Sequence, residues 1–238
     1  MINLYISPKK TAHFLGWAAV GLMLCNIIGK TSRYVLGHGE LLGFIDLFDV
    51  DQEFNLPALY STLNLLACSI LLSVIAISKS QLRDRYAAHW KGLALIFLCL
   101  AIDEWMSFHE RLILPLRSTF GISSGPLYFT WVIAGFVFLS IFLIAYFKFI
   151  LALPKNIRWL FLTAGAIYIS GVLGLEIAGG WYASLPTEKE FTYHLFNACE
   201  EFLEMAGIVV FIYALLRYTT QHVKNVSLIF KEPSSALE

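Results

Sequence analysis

The stretch AIDEWMSFHERL, residues 101–112, gathers Asp103, Glu104, His109, Glu110 and Arg111 directly behind the apolar run KGLALIFLCL. A second stretch, HLFNACEEFLEMAG at 194–207, adds His194, Asn197, Glu200, Glu201 and Glu204, and Glu176 stands alone in LGLEIAGGWY. So many carboxyl groups near one another repel unless a cation or shared protons neutralise them. Hard oxygen ligands with one or two imidazoles suit Mg, Ca, Mn, Fe or Zn, according to geometry. The expected chemistry is therefore a divalent-metal site built from Asp103, Glu104, His109, Glu110, Glu176, His194, Glu200, Glu201 and Glu204. A metal held there would activate water or oxygen, with Glu110, Glu201 or Glu204 as catalytic general base.

Those residues need elements that bring them together. Of 238 residues, 58% are hydrophobic and 14% charged, whereas a soluble domain is about 25% charged. Apolar runs of roughly 20 residues recur, and such runs read as membrane-spanning helices. We place six spans at about 11–29, 57–78, 90–110, 127–150, 158–182 and 194–217, with an outer loop at 30–56, in a single all-α transmembrane domain over 1–238. MINLYISPKK resembles the start of a signal peptide, but no small-residue cleavage site follows the apolar segment, which reads as an uncleaved first span. NLP at 55–57, KSQLRDR at 79–85, SSGP at 123–126 and LPKN at 153–156 mark breaks between spans.

Twelve Lys and Arg fall on the side of the termini and five on the opposite side (Lys30, Arg33, Arg111, Arg117, Lys189), so the positive-inside rule makes both termini cytoplasmic. Fourteen of the seventeen acids lie on the other side or in the outer halves of spans. Insertion does not require that bias, since acids contribute little to topology.

Helical rise turns this segregation into depth. Asp103 lies roughly 20 Å up the third span from Trp90, Glu204 roughly 20 Å up the sixth, and Glu176 roughly 27 Å up the fifth. On the sixth span His194, Asn197, Glu201 and Glu204 form one stripe; on the third, Asp103, Ser107 and Glu110 do the same. Lipid cannot solvate such stripes, so they are expected to line an outward-facing polar pocket. His38, His109 and His194 all lie outward, and three imidazoles would suit zinc. Asp49, Asp51, Glu53 and Asn55 alternate like the start of a calcium loop, but Phe54 stands where glycine belongs and Tyr60 where an acid belongs. That segment reads better as a lid, with Asn55 capping and Pro57 opening the second span. Glu188 and Glu190 read as solvated loop charges. Trp105, Trp131 and Trp181 read as interfacial aromatics that could also line the entrance.

The four cysteines, Cys25, Cys68, Cys99 and Cys199, form no C-x-x-C pair and read as packing residues. No basic patch with interleaved aromatics is present, which excludes nucleic acid as a partner.

An acidic loop ending NLPALYS, then DEWMSFHE, then EEFLEMAG resembles an uncharacterised family of bacterial six-span membrane proteins, over about residues 44–216. The resemblance implies that Asp103, Glu104, His109, Glu110, Glu200, Glu201 and Glu204 act as one constellation, in a bacterial inner-membrane protein, and supplies no chemistry. The expected function is a metal-dependent membrane enzyme, hydrolase or oxidoreductase, acting on a lipid-like or periplasmic substrate. A cation or proton transporter or channel, or an accessory subunit of a membrane complex, is the alternative. The partners implied are membrane lipid, a lipid-like substrate and, where subunits build a pore between them, a homo-oligomer.

Overall fold

In a computed structural model the described residues are 6–34, 36–37, 43–186 and 190–223. His38, Glu188, Lys189 and the C-terminal tail therefore lie outside the described residues. Among the described residues the regular structure is helical, without a strand: α1 (Pro8–Tyr34), α2 (Phe44–Phe48), α3 (Leu56–Gln81), α4 (Ala87–Met106), α5 (Ile113–Phe120), α6 (Trp131–Ala152), α7 (Lys155–Ile169), α8 (Glu176–Ala183) and α9 (Glu190–His222). A 3₁₀ turn, Glu110–Leu112, precedes α5, and a π-helical segment, Ser170–Leu175, joins α7 to α8.

Local chemistry sets the ends of these helices. Asn55 accepts a hydrogen bond from the Ala58 amide at 3.1 Å, and Pro57 occupies the first turn of α3, where its missing N–H costs nothing. Pro154 separates α6 from α7. Gly121, at φ 65°, closes α5 in the left-handed conformation.

Among the described residues, four helical segments are long and apolar enough to cross a membrane: Pro8–Tyr34, Leu56–Gln81, Trp131–Ala152 and Lys155–Ala183. A fifth arises if α4 and Glu110–Phe120 are taken as one broken span, bent by 73°. The expected helix over 90–110 thus ends early. Ser107 adopts φ 44°, so the chain leaves α4 at Met106 and the Asp103–Ser107–Glu110 stripe does not lie on one helix. Asp103 stabilises the break by accepting from the His109 amide at 3.0 Å.

α9 threads the middle and packs on α1, α3, α7 and α8, while α3 lies along α4. The main core fills the end of the bundle away from the acids. Trp90 stacks edge-on against Phe149 (centroids 4.9 Å apart), and Leu72, Ile157 and Leu215 are buried around it. Such aromatic pairs contribute about 1 kcal/mol beyond their burial. By contrast α6 presents Val137, Ile141, Ile144 and Phe147 outward. An apolar face of that kind is what a lipid-facing helix needs.

Candidate functional site

Between α4, α6, α7, α9 and the segment 50–53 lies a cavity of about 810 Å³. Its two ends differ in chemistry. One is walled by Leu93, Phe97, Leu100, Phe138, Phe142 and Phe161. The other is walled by Asp51, Glu53, Asp103, Glu104, His109, Glu110, Glu176, Glu200, Glu201 and Glu204. Among the described residues the cavity lining includes no Lys or Arg. Eight of the nine expected ligands therefore share one wall; His194 is the exception.

A chain of side-chain contacts runs along the carboxylate wall. His109 Nδ1 lies 2.7 Å from Asp103 Oδ2. An ionised carboxylate only accepts, so the imidazole donates from Nδ1, and in the neutral ring Nε2 holds the lone pair. The His109 ring packs on Trp131 (centroids 4.6 Å apart), whose indole N–H donates to Glu176. Glu176 in turn hydrogen-bonds to Glu200 on α9. A hydrogen bond between two carboxyl groups requires one of them to hold the proton.

Helix geometry explains how Glu176 reaches this site. The π-helical turn before it inserts extra backbone and re-aims the following side chain, a device common at functional sites. Close approach of α7 and α9 then depends on glycine. A Cβ on Gly171 would sit 2.8 Å from the Glu200 carbonyl oxygen and 3.0 Å from Glu204 Cγ. A Cβ on Gly207 would meet the Tyr168 backbone nitrogen at 2.8 Å.

A second polar cluster holds the loop that carries Asp51 and Glu53 into the cavity. Lys30, 5% exposed, pairs at 2.8 Å with Asp49, which is 2% exposed. Lys30 Nζ also lies 3.2 Å from His194 Nδ1, and Asp51 lies 3.2 Å from the same nitrogen. Tyr34 donates to Glu190 at 2.9 Å and sits 2.8 Å from His194 Nε2. Asn197 donates to Asp51, and Asn55 Nδ2 donates to the Asp49 carbonyl at 2.5 Å. His194 thus belongs to this latch and does not join His109. Among the described residues, no group of three or more His, Cys, Asp or Glu side chains is placed to hold a metal ion. The expected divalent ligand set is gathered along one wall without converging on a point.

Sequence reasoning passed over several residues. Lys30 entered only as a charge in an outer loop, yet α1 continues to Tyr34. Asn26, Lys30 and Tyr34, four apart, mark a polar face that could have signalled the latch. Trp131 read as an interfacial aromatic, whereas it is buried and donates to Glu176. Tyr168, which lines the cavity, carried no local signal within the apolar run around it.

Residues 12–219 match the model of a family described as a domain of unknown function (DUF8692). No curated protein and no solved structure matches the chain.

Proposed function

We propose, for a chain that belongs to the DUF8692 family, a six-span membrane protein whose cavity takes up a lipid-like amphiphile and works on its polar head. One observation carries this reading: a single cavity of about 810 Å³ runs from an apolar wall to a wall of carboxylates and one imidazole. Pockets that bury most of a small molecule have volumes of this order. The ten helical steps from Leu93 to Asp103 span about 15 Å of α4, so the apolar part has room for an alkyl chain. The lining side of α6 backs onto an outer face suited to lipid, so in this reading the molecule enters from the bilayer beside α6.

In this reading α9 is the sixth span, both termini are cytoplasmic, and the carboxylate end faces the outer leaflet. The protein is a single domain and sits in the bacterial inner membrane. His109 is the acid–base residue. Asp103 fixes its tautomer and orientation through two hydrogen bonds, which leaves Nε2 to take a proton from the head or from water. Glu110, Glu201 and Glu204 stand along the same wall and accept that proton onward. A cation or proton pathway fits less well, because the cavity deepens into largely apolar walls where Tyr146 is among the few polar groups.

The test is the molecule itself. Protein purified in mild detergent and extracted with organic solvent should carry a near-stoichiometric amphiphile detectable by mass spectrometry. Gly165 lines the cavity and a Cβ there meets nothing within 4 Å. The variant Gly165→Phe should therefore fold normally and lose the molecule. Absence of any amphiphile from the wild type, even after incubation with a total lipid extract, overturns the proposal.

A second reading keeps a divalent cation at the carboxylate wall, favoured by nine carboxyl groups facing a lone imidazole. It requires the side chains to draw together on binding. Elemental analysis of the wild type beside Asp103→Asn, Glu204→Gln decides it: a near-stoichiometric metal lost in the variant supports it, and no metal in either sample after incubation with divalent ions sinks it.

A further inference from the structure

Resting on the amphiphile reading, we infer that the head of the bound molecule carries positive charge on nitrogen, as an alkylamine or quaternary ammonium. The argument begins with what the carboxylate wall lacks. Buried carboxylates need compensating charge or shared protons; Glu176 and Glu200 share one, and among the described residues the lining offers no Lys or Arg to the others. His109 is already engaged by Asp103. Lys30, Arg111 and Arg117 are engaged elsewhere as well. Lys30 pairs with Asp49; Arg117 donates to the Tyr128 carbonyl at 2.6 Å and lies over the Tyr128 ring; Arg111 lies over Phe108. An anionic head would enter this wall against uncompensated like charge, and a neutral head would leave the carboxylates as they are. A cationic head supplies what the fold omits.

A second observation, independent of the acids, points the same way. Aromatic rings stand among them: Phe129, Trp131, Tyr168 and Tyr193 line the same cavity. Phe129 and Tyr193 are 6.5 Å apart between centroids, at an interplanar angle of 49°. The Trp131 indole is fixed by its hydrogen bond to Glu176. Rings of this kind bind ammonium groups through their faces, and the attraction grows when water is excluded. Inorganic cations prefer oxygen ligands and leave both the rings and the apolar wall without a role.

The experiment is native mass spectrometry of the full-length protein in nanodiscs. Dodecyltrimethylammonium, dodecanol and dodecyl phosphate, which share one chain length, compete at equal concentration. The ammonium probe should exceed each of the others in occupancy by about tenfold or more. Glu200→Gln with Glu176→Gln should cut that preference to about threefold or less without lowering dodecanol occupancy. Trp131→Leu, a change that leaves every carboxylate in place, should reduce it separately. Equal occupancy of the three probes, or preference for the phosphate, overturns the ammonium inference and leaves the amphiphile cavity standing. Binding of none of them overturns the cavity reading itself. A preference unchanged in both variants places the ammonium outside this wall and overturns the inference too.

Discussion

Removal of Lys30 is the sharpest test of how the outer segment is held. Lys30 and Asp49 are 5% and 2% exposed and 2.8 Å apart, so each is the other's principal counter-charge. In Lys30→Met, Asp49 keeps only the Asp51 amide at 3.1 Å and the Gln52 amide at 3.5 Å, both neutral donors. Stripping one partner from a buried pair costs about 3–5 kcal/mol, because the remaining charge stays buried and uncompensated. Replacing both partners by apolar groups is close to neutral. The double variant Lys30→Met, Asp49→Leu then forfeits mainly the hydrogen bond from Asp51, worth about 1 kcal/mol. For a chain of this size each kcal/mol moves the unfolding midpoint by about 2–4 °C. Thermal unfolding in detergent should therefore show a loss of about 6–20 °C for the single variant and about 2–4 °C for the double. Amphiphile occupancy should fall in the single variant too, since Asp51 and Glu53 reach the cavity on this segment. A single variant within about 1 kcal/mol of wild type, or a double variant as unstable as the single, would refute the latch.

Three further outcomes follow from the same geometry. Gly171→Ala pushes a methyl group to 2.8 Å from the Glu200 carbonyl oxygen and should cost about 1–3 kcal/mol, whereas Gly165→Ala, with open space at its Cβ, should gain up to about 1 kcal/mol from helix propensity; chemical unfolding of the pair checks the sign of each. Asp103→Asn allows the new amide to donate to His109 Nδ1, so the imidazole proton should move to Nε2, visible in ¹⁵N spectra of labelled histidine; retention of Nδ1–H would contradict the assigned hydrogen bond. Trp131→Phe keeps the ring packed on His109 but removes the donor to Glu176, and a double-mutant cycle with Glu176→Gln should yield a coupling of about 2 kcal/mol.

Much of this arrangement is legible in the chain itself. Long apolar runs dictate helices of membrane-spanning length, and the fixed rise of a helix assigns each acid a depth. The 3.6-residue period assigns each acid a face, and for Asn197, Glu201 and Glu204 on α9 that face turns toward the cavity. Asn55 and Pro57 announce the start of α3 through local hydrogen bonding and a fixed φ alone.

Other features depend on what each helix meets, which no single helix encodes. His194 shares the α9 stripe by period, yet α1 brings Lys30 and Tyr34 to it and takes it into the latch. Ser107 turns left-handed with no glycine or proline to mark it; the two hydrogen bonds that Asp103 makes to His109 repay the bend, and they exist only once the chain has bent. The apolar wall is shared by α4, α6 and α7, and on α6 the lining and outward-facing residues are chemically alike, so composition cannot separate them. Period thus placed Asn197, Glu201 and Glu204 on one cavity-facing side of α9, but could not keep Asp103, Ser107 and Glu110 on one helix. Helix packing alone decided which faces meet and left a cavity between them, because rotation and separation of helices follow from side-chain fit across distant parts of the chain.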